Sequence, residues 1–477
     1  ADIGRIDRHA PMARLRAHQA APRCREADRA ADGGAEMQRA VAGRGGCGID
    51  IDLLKVPRRE SGMTPYEIML SESQERMLVV ARKGDEGKVQ QLFARWDLHS
   101  DIIGAVSDDG IVRVRAGEKV VAEIPARLLT DETPVYYREG RRPAYLEEAW
   151  AFDPTTLPLE DDYSETLLAL LGSPNLCSRR SVYQQYDHMV QTNTVIPPGG
   201  ADAAVLRVKG TGRGIAVTTD GNGRYVYLEP RWGGAIAVAE AARNLVCVGA
   251  EPLAVTDCLN YGNPEKPEVF YTLKESVSGM ARACEVLGTP VISGNVSLYN
   301  ENNGSAIFPT PVVGMVGLLE KIEHATGMAF RKEGDLVVLL GSNADNLGGT
   351  EYLKLVTGRV AGQPPCIDLS FEPKLQRCCL SAIRAGLVRS AHDCSDGGLA
   401  VALAESCIAG RVGLECAPES LEALLCGMAA GGTRSCSVRA SHGSCCLLPP
   451  RTFPRWRSLP PRQGSPSRCS ARWAGPG

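Results

Sequence analysis

Ala235–Pro264 reads AIAVAEAARNLVCVGAEPLAVTDCLNYGNP, and its successive parts decide the fold class. Across Ala235–Val248, the residues Ala235, Val238, Ala239, Ala242, Leu245 and Val246 recur at helical spacing and face a core. Gly249 closes that helix. Pro252–Asp257 follows as a short strand, and the polar run Asp257–Pro264 leaves its end directly. A helix feeding a strand that ends in a polar loop is the working unit of α/β architectures, which place ligands at strand ends.

Outward from this stretch the pattern continues on both sides. Ala203–Val208 and Gly214–Thr219 read as strands, and Asp220–Gly221–Asn222–Gly223 turns the chain into Arg224–Leu228. Glu268–Leu287 is a helix whose inward stripe is Val269, Leu273, Val277, Met280, Cys284 and Leu287. Pro290–Ser293 is expected to be a buried strand and Pro311–Leu319 another. Asp335–Gly341 opens a further unit, with helices at Pro373–Val388 and Gly398–Ile408. Upstream, Ile49–Leu54 alternates like a strand, Met77–Ala81 reads as a buried one, and Asp85–Trp96 is helical. Asp101–Val114 and Lys119–Ile124 are strands around the turn at Asp108–Gly110. Residues 129–162 are rich in proline and acidic side chains, which suits a linker. Tyr136, Tyr137, Tyr145 and Trp150 within it predict that it packs along a surface. The helix ends Ala42–Arg44 and Ala409–Arg411 match, a sign of two related α/β units.

The two ends differ from the middle. Ala1–Gly46 holds nine Arg and no Lys, and Ala423–Gly477 holds eight Arg, no Lys and no acidic residue. Folded surfaces mix all four charged types, and GC-rich DNA in the wrong frame encodes this Arg, Ala, Pro, Gly and Cys bias. Residues 1–43 and 423–477 are therefore read as frameshifted, non-native-like ends and are expected to be disordered. A net charge of −3 gives no reason to expect a nucleic-acid or membrane partner. No apolar run approaches the ~20 residues of a bilayer span. The 17 cysteines lack zinc-site spacing and are expected to be reduced, buried thiols of a cytoplasmic protein.

Three polar loops can carry chemistry. They are Asp257–Pro264, Ser293–Asn300 and His392–Gly398, each after an apolar segment. Glycine lets backbone N–H groups approach phosphate oxygens, and Asp and Asn oxygens suit Mg²⁺. One such loop is ordinary turn chemistry. Three of them, with no thiolate or serine-triad signature, point to a phosphate-and-magnesium site. Ser71–Arg76 alone reads as a capped or solvated turn, and His188 as a structural hydrogen-bonder.

MTPYEIMLSESQERM (Met63–Met77), YDHMVQTNTV (Tyr186–Val195), DGNGRYVYLEP (Asp220–Pro230), ISGNVSLYNE (Ile292–Glu301) and HDCSDGGLAVALAE (His392–Glu405) are similar to one family. Together with Ala242–Pro264 they resemble the synthetase subunit of phosphoribosylformylglycinamidine synthase in its small bacterial form, across about residues 44–422. The resemblance implies an α+β and α/β fold of the PurM-like superfamily, in which ferredoxin-like ATP-binding domains pair into a barrel and PurM C-terminal-like α/β domains flank them. It places the end of the first α/β domain at 44–128, a linker at 129–162, the second ferredoxin-like domain at 163–319 and a truncated second α/β domain at 320–422.

The resemblance also implies an activity: ATP phosphorylates the amide oxygen of formylglycinamide ribonucleotide, and ammonia displaces phosphate. Carried over by position, Glu72, Ser73, Gln74 and Ser297 are substrate contacts, Asp257 and Gly294 nucleotide contacts, and Asn295 a Mg²⁺ ligand. Asp393 is a further metal ligand by analogy with the first α/β domain. The implied partners are a glutaminase subunit and a small bridging subunit. The family's catalytic histidines lie in the first ferredoxin-like domain, so the resemblance assigns none here and predicts that this chain alone is inactive. Two other readings are a non-catalytic nucleotide-binding scaffold and another synthetase of the same superfamily, such as aminoimidazole ribonucleotide synthetase. SESQERM and the linker argue against the latter.

Overall fold

The computed structural model describes residues 45–58, 60–71, 76–153, 156–157, 162–342, 347–416, 442–448 and 471–472. The chain divides into two compact units, Ala1–Tyr137 and Arg138–Gly477.

In the first unit, β1 (Gly48–Asp52), β2 (Gly104–Ser107), β3 (Ile111–Ala116) and β4 (Lys119–Pro125) form a sheet in the order β2-β1-β3-β4. β1 and β3 are parallel, and the other pairs are antiparallel. Their inward residues Ile49, Ile51, Val112 and Val114 pack with Leu53, Ile68 and Ala126. The helix Pro65–Leu70 starts where it does because Thr64 and Glu67 cap each other reciprocally and proline occupies its first turn. Two expectations need correction here. Met77–Ala81 is neither strand nor buried: Met77 is 88% exposed, and Val79 and Val80 are exposed too. The four-stranded ladder is complete without it, and an apolar run cannot become a strand without a partner. The helix at 85–96 is confined to Glu86–Ala94 and buries no residue fully.

The second unit is built on a six-stranded sheet of β5 (Thr194–Ile196), β6 (Ala204–Arg207), β7 (Gly214–Asp220), β8 (Glu251–Asn260), β9 (Val291–Ser297) and β12 (Thr310–Leu319). The order is β5-β6-β7-β12-β8-β9. Only the β8–β9 pair is parallel. A small hairpin, β10 (Glu301–Asn302) with β11 (Ser305–Ala306), follows β9. The helices Pro230–Cys247 and Pro267–Leu287 cover one face, bringing Val238, Ala239, Leu245, Met280 and Ala283 onto Val255, Val313 and Met315. Gly249, at φ +87°, makes the turn from helix into β8 where a side chain would strike the His324 carbonyl. The sheet's other face is open: Ile215, Val217, Leu253 and Val316 are all exposed.

Arg224–Leu228, the segment that follows the turn, lies in a short helix, Gly223–Leu228. The Asn222 side chain accepts the Tyr225 N–H at 3.1 Å and so caps the start of this helix. Of the four aromatics in residues 129–162, Tyr136 and Tyr137 are exposed, and Tyr145 and Trp150 pack. Tyr145 stacks on Tyr227 at 4.2 Å and donates to the Tyr227 carbonyl, while Trp150 donates to the Leu228 carbonyl at 2.8 Å.

The last part of this unit pairs β13 (Leu336–Ser342), β14 (Ser390–Asp393) and β16 (His442–Leu448) in the order β13-β16-β14, with a short pair β15 (Glu415–Cys416) and β17 (Ala471–Arg472). Helices Glu372–Arg384 and Gly398–Gly410 accompany it. β16 and β17 fall within 423–477, where no packing was expected; the remainder of that segment lies outside the described residues, as does nearly all of 1–43. The slot between β13 and β14 presents an open ladder on both sides, and the Cys445–Leu448 run is short, apolar and free of charge, which suits it. Among the described residues no helix is long and apolar enough to cross a membrane.

Candidate nucleotide and substrate site

Two of the three polar loops meet at the β8–β9 edge. The parallel register sets Asp257 beside Gly294, Cys258 beside Asn295 and Asn260 beside Ser297. Side chains alternate along a strand, so Asp257 shares the helix-covered face with Val255 and Leu259. Thr256, Asn295 and Ser297 belong to the opposite face. On that face the Ser293 hydroxyl donates to Thr256 Oγ1 at 2.8 Å. A Cβ at position 294 would collide with the Asp257 carboxylate and lie tightly against its carbonyl oxygen. Glycine there is what lets a carboxylate lie against the neighbouring strand. Partial burial raises the Asp257 pKa above the ordinary carboxylate range.

The loop after β9 is held to the loop after β8. Tyr261 N–H donates to the Ser297 carbonyl at 3.0 Å, Tyr299 N–H to the Gly262 carbonyl at 3.0 Å and Asn300 N–H to the Tyr261 carbonyl at 3.1 Å. The Asn300 amide donates to the Ser297 carbonyl at 2.9 Å and is 3.0 Å from the Ser297 hydroxyl. Lys266 Nζ closes the far side on Glu301 at 2.8 Å. Tyr299 holds φ +61° with its ring 57% exposed, a left-handed backbone for a bulky residue. The Tyr261 hydroxyl, 2.6 Å from the Ser276 hydroxyl, roots the assembly in the core.

Position by position, the expected site separates into parts. Asp257 and Gly294 adjoin on the covered face. Asn295 and Ser297 are two residues apart on the open face, and Asn295 is exposed. β9, expected as a buried strand from Pro290, is an edge strand with Ile292 69% exposed. Its apolar residues describe a face and not a burial. Glu72, Ser73 and Gln74 lie outside the described residues.

The third loop goes elsewhere. His392 and Asp393 end β14, and Asp393 Oδ1 accepts from Arg243 Nε at 2.7 Å. His392 lies between Asp202, 2.6 Å from Nδ1, and Glu405, 3.0 Å from Nε2. Asp396 accepts from Asn222 at 2.9 Å, and Arg224 is ion-paired with Glu351. Burial would lower the His392 pKa, but Asp202 and Glu405 outweigh it and raise it well above the usual imidazole value. Burial pushes Asp393 up to about 6 against the pull of Arg243. Sequence reasoning passed over Arg243, Glu372 and Asn300. Arg243 was findable, because a charged residue in the core-facing helical run Ala235–Val248, which also holds Glu240 and Asn244, needs a partner when buried.

Residues 200–319 match the AIR synthase related protein, N-terminal domain, and residues 7–117 and 332–425 each match the AIR synthase related protein, C-terminal domain. The first C-terminal-type match begins well inside residues 1–43, so the Lys-free composition of that stretch does not by itself set it apart from the family. Over 375 residues the chain is 60% identical to phosphoribosylformylglycinamidine synthase subunit PurL of Moorella thermoacetica, covering 79% of this chain and 51% of that protein. It is similar in structure to T. maritima PurL complexed with ATP (26% identity, TM-score 0.60, 93% of this chain and 62% of that one). T. maritima PurL complexed with FGAR gives 25% identity and a TM-score of 0.62, over 92% of this chain and 60% of that one. The chain belongs to the AIR synthase related family, and the PurL subunits of phosphoribosylformylglycinamidine synthase are relatives it is similar to. It spans about half the length of the curated relatives it matches.

Proposed function

We propose that the chain serves the ATP-dependent conversion of formylglycinamide ribonucleotide to formylglycinamidine ribonucleotide in purine synthesis. The observation that carries this reading is the 60% identity to a PurL subunit, which spans both loops at the β8–β9 edge. In the reaction, the γ-phosphoryl group of ATP passes to the amide oxygen. Ammonia then attacks the activated carbon, the C–O bond breaks, and phosphate leaves with that oxygen. Charge moves between two anionic partners, so the protein's task is to hold phosphates and the amide in register.

In this reading Asp257 and the backbone at Gly294 hold the nucleotide, and Ser297, Glu72, Ser73 and Gln74 are the residues that contact the ribonucleotide. Asn295 offers an exposed hard oxygen, which fits Mg²⁺, an ion that keeps waters and phosphate oxygens as its other ligands. When bound, Mg²⁺ would neutralise phosphate charge. A glutaminase subunit and a small bridging subunit are the proposed partners, and the cytoplasm the proposed location.

The chain holds one N-terminal-type match for two C-terminal-type matches, and we propose that by itself it does not complete the site. Purified chain with ATP, Mg²⁺, formylglycinamide ribonucleotide and ammonium should make amidine at background rate. Joined in frame to the upstream half of the M. thermoacetica relative, it should turn over, and Ser297→Ala should slow it. A folded joined protein without turnover would overturn the reading.

A further inference from the structure

Asp393 is where the family resemblance places a metal ion, and the structure supplies another cation. Arg243 projects from the helix Pro230–Cys247 with its side chain 1% exposed. Its Nε donates to Asp393 Oδ1 and its Nη1 to Glu372 Oε1, both at 2.7 Å, and both carboxylates are fully buried. Gln376 Nε2 adds a donor to Glu372 Oε1 at 3.3 Å. Asp393 N–H leans on Asp202 Oδ1 at 3.4 Å, and that carboxylate is taken by His392.

The donor set does not fit a magnesium ion. Asp393 Oδ2 and Asp202 Oδ2 are buried without a hydrogen-bond partner among the described residues, but they are two oxygens. Among the described residues no three His, Cys, Asp or Glu side chains are grouped to hold a metal. Mg²⁺ needs near-octahedral oxygen ligation and usually keeps several waters. A dication here would also sit beside a fixed guanidinium.

We infer that Arg243 is the resident cation of this cluster, that Asp393 binds no metal, and that the pair fixes the His392–Gly398 loop to the helix under the six-stranded sheet. Asp393 is then a positioning residue for its loop. The inference stands apart from the nucleotide-site reading, since neither Asp257 nor Asn295 takes part in it.

Mn²⁺ tests it on the whole chain. Parent and Asp393→Asn, titrated with Mn²⁺ and followed by electron paramagnetic resonance, should bind the same number of ions with the same affinity. Loss of a bound ion in Asp393→Asn would overturn the inference. Arg243→Gln should lower the melting temperature by roughly 10 °C, because two buried carboxylates lose their counter-ion. Millimolar Mn²⁺ should recover part of that loss and leave the parent unchanged. An Arg243→Gln chain as stable as the parent, or a parent stabilised by Mn²⁺ through Asp393, would also refute it. Should Arg243→Gln fail to fold, the Mn²⁺ comparison between parent and Asp393→Asn decides.

Discussion

Asp257 and Gly294 lie side by side in the parallel β8–β9 register, and the Asp257 carboxylate occupies the space that a side chain at 294 would fill. The relationship is mutual: the glycine keeps room for the acid, and the acid gives the glycine backbone an anionic neighbour. Gly294→Ala should therefore displace the carboxylate, destabilising the chain by about 1–3 kcal/mol, the usual cost of forcing a methyl into packed space. Asp257→Ala should relieve most of that loss. A thermal double-mutant cycle in which the two changes simply add would show that the contact carries no energy.

His392 makes stability depend on pH in a definite direction. Its folded pKa is raised well above 6.5 by Asp202 and Glu405. The stabilisation is thus fully present below the unfolded value of about 6.5 and is lost as pH rises through the folded value. The melting-temperature difference between parent and His392→Gln should be constant from about pH 5.5 to 6.5 and shrink at higher pH. A difference that grows with pH has the wrong sign for this account.

Tyr299 carries backbone strain in the loop that positions Ser297. At φ +61° a glycine is at ease and a tyrosine is not. Tyr299→Gly should stabilise the unliganded chain by about 1 kcal/mol, since the exposed ring leaves little packing to lose. Asn300→Ala should do the opposite, by roughly 1–3 kcal/mol, because it deletes the side-chain bonds to the carbonyls of Ser297 and Tyr261. Denaturant midpoints of the two variants should fall on opposite sides of the parent.

Much of the second unit could be read from periodicity alone. The helix Pro267–Leu287 has one apolar stripe and a glycine cap at Gly288, and its observed bounds lie within one residue of the reading. Burial was less legible. Ile292 and Val296 look like core residues, yet they belong to an edge strand, and only tertiary context reveals which apolar strands find a cover. The same limit explains Met77–Ala81. At the candidate site, turn-rich loops at strand ends pointed to ligand chemistry as an expectation, but spacing could not tell that His392–Gly398 would turn to Arg243 and away from β9. A buried ion pair joins residues 150 positions apart, a separation no local pattern records.

Whether the β8–β9 edge holds a nucleotide is decided by titration calorimetry with Mg–ADP. The account predicts binding by the parent chain, and a loss of roughly ten- to hundredfold in affinity for Asp257→Asn and for Asn295→Ala, the worth of one charged or metal-borne contact. Melting temperatures without ligand should barely move, as Asn295 is exposed and Asp257 keeps its shape as asparagine. Equal Mg–ADP binding by the parent and both variants would place the nucleotide elsewhere and contradict the account.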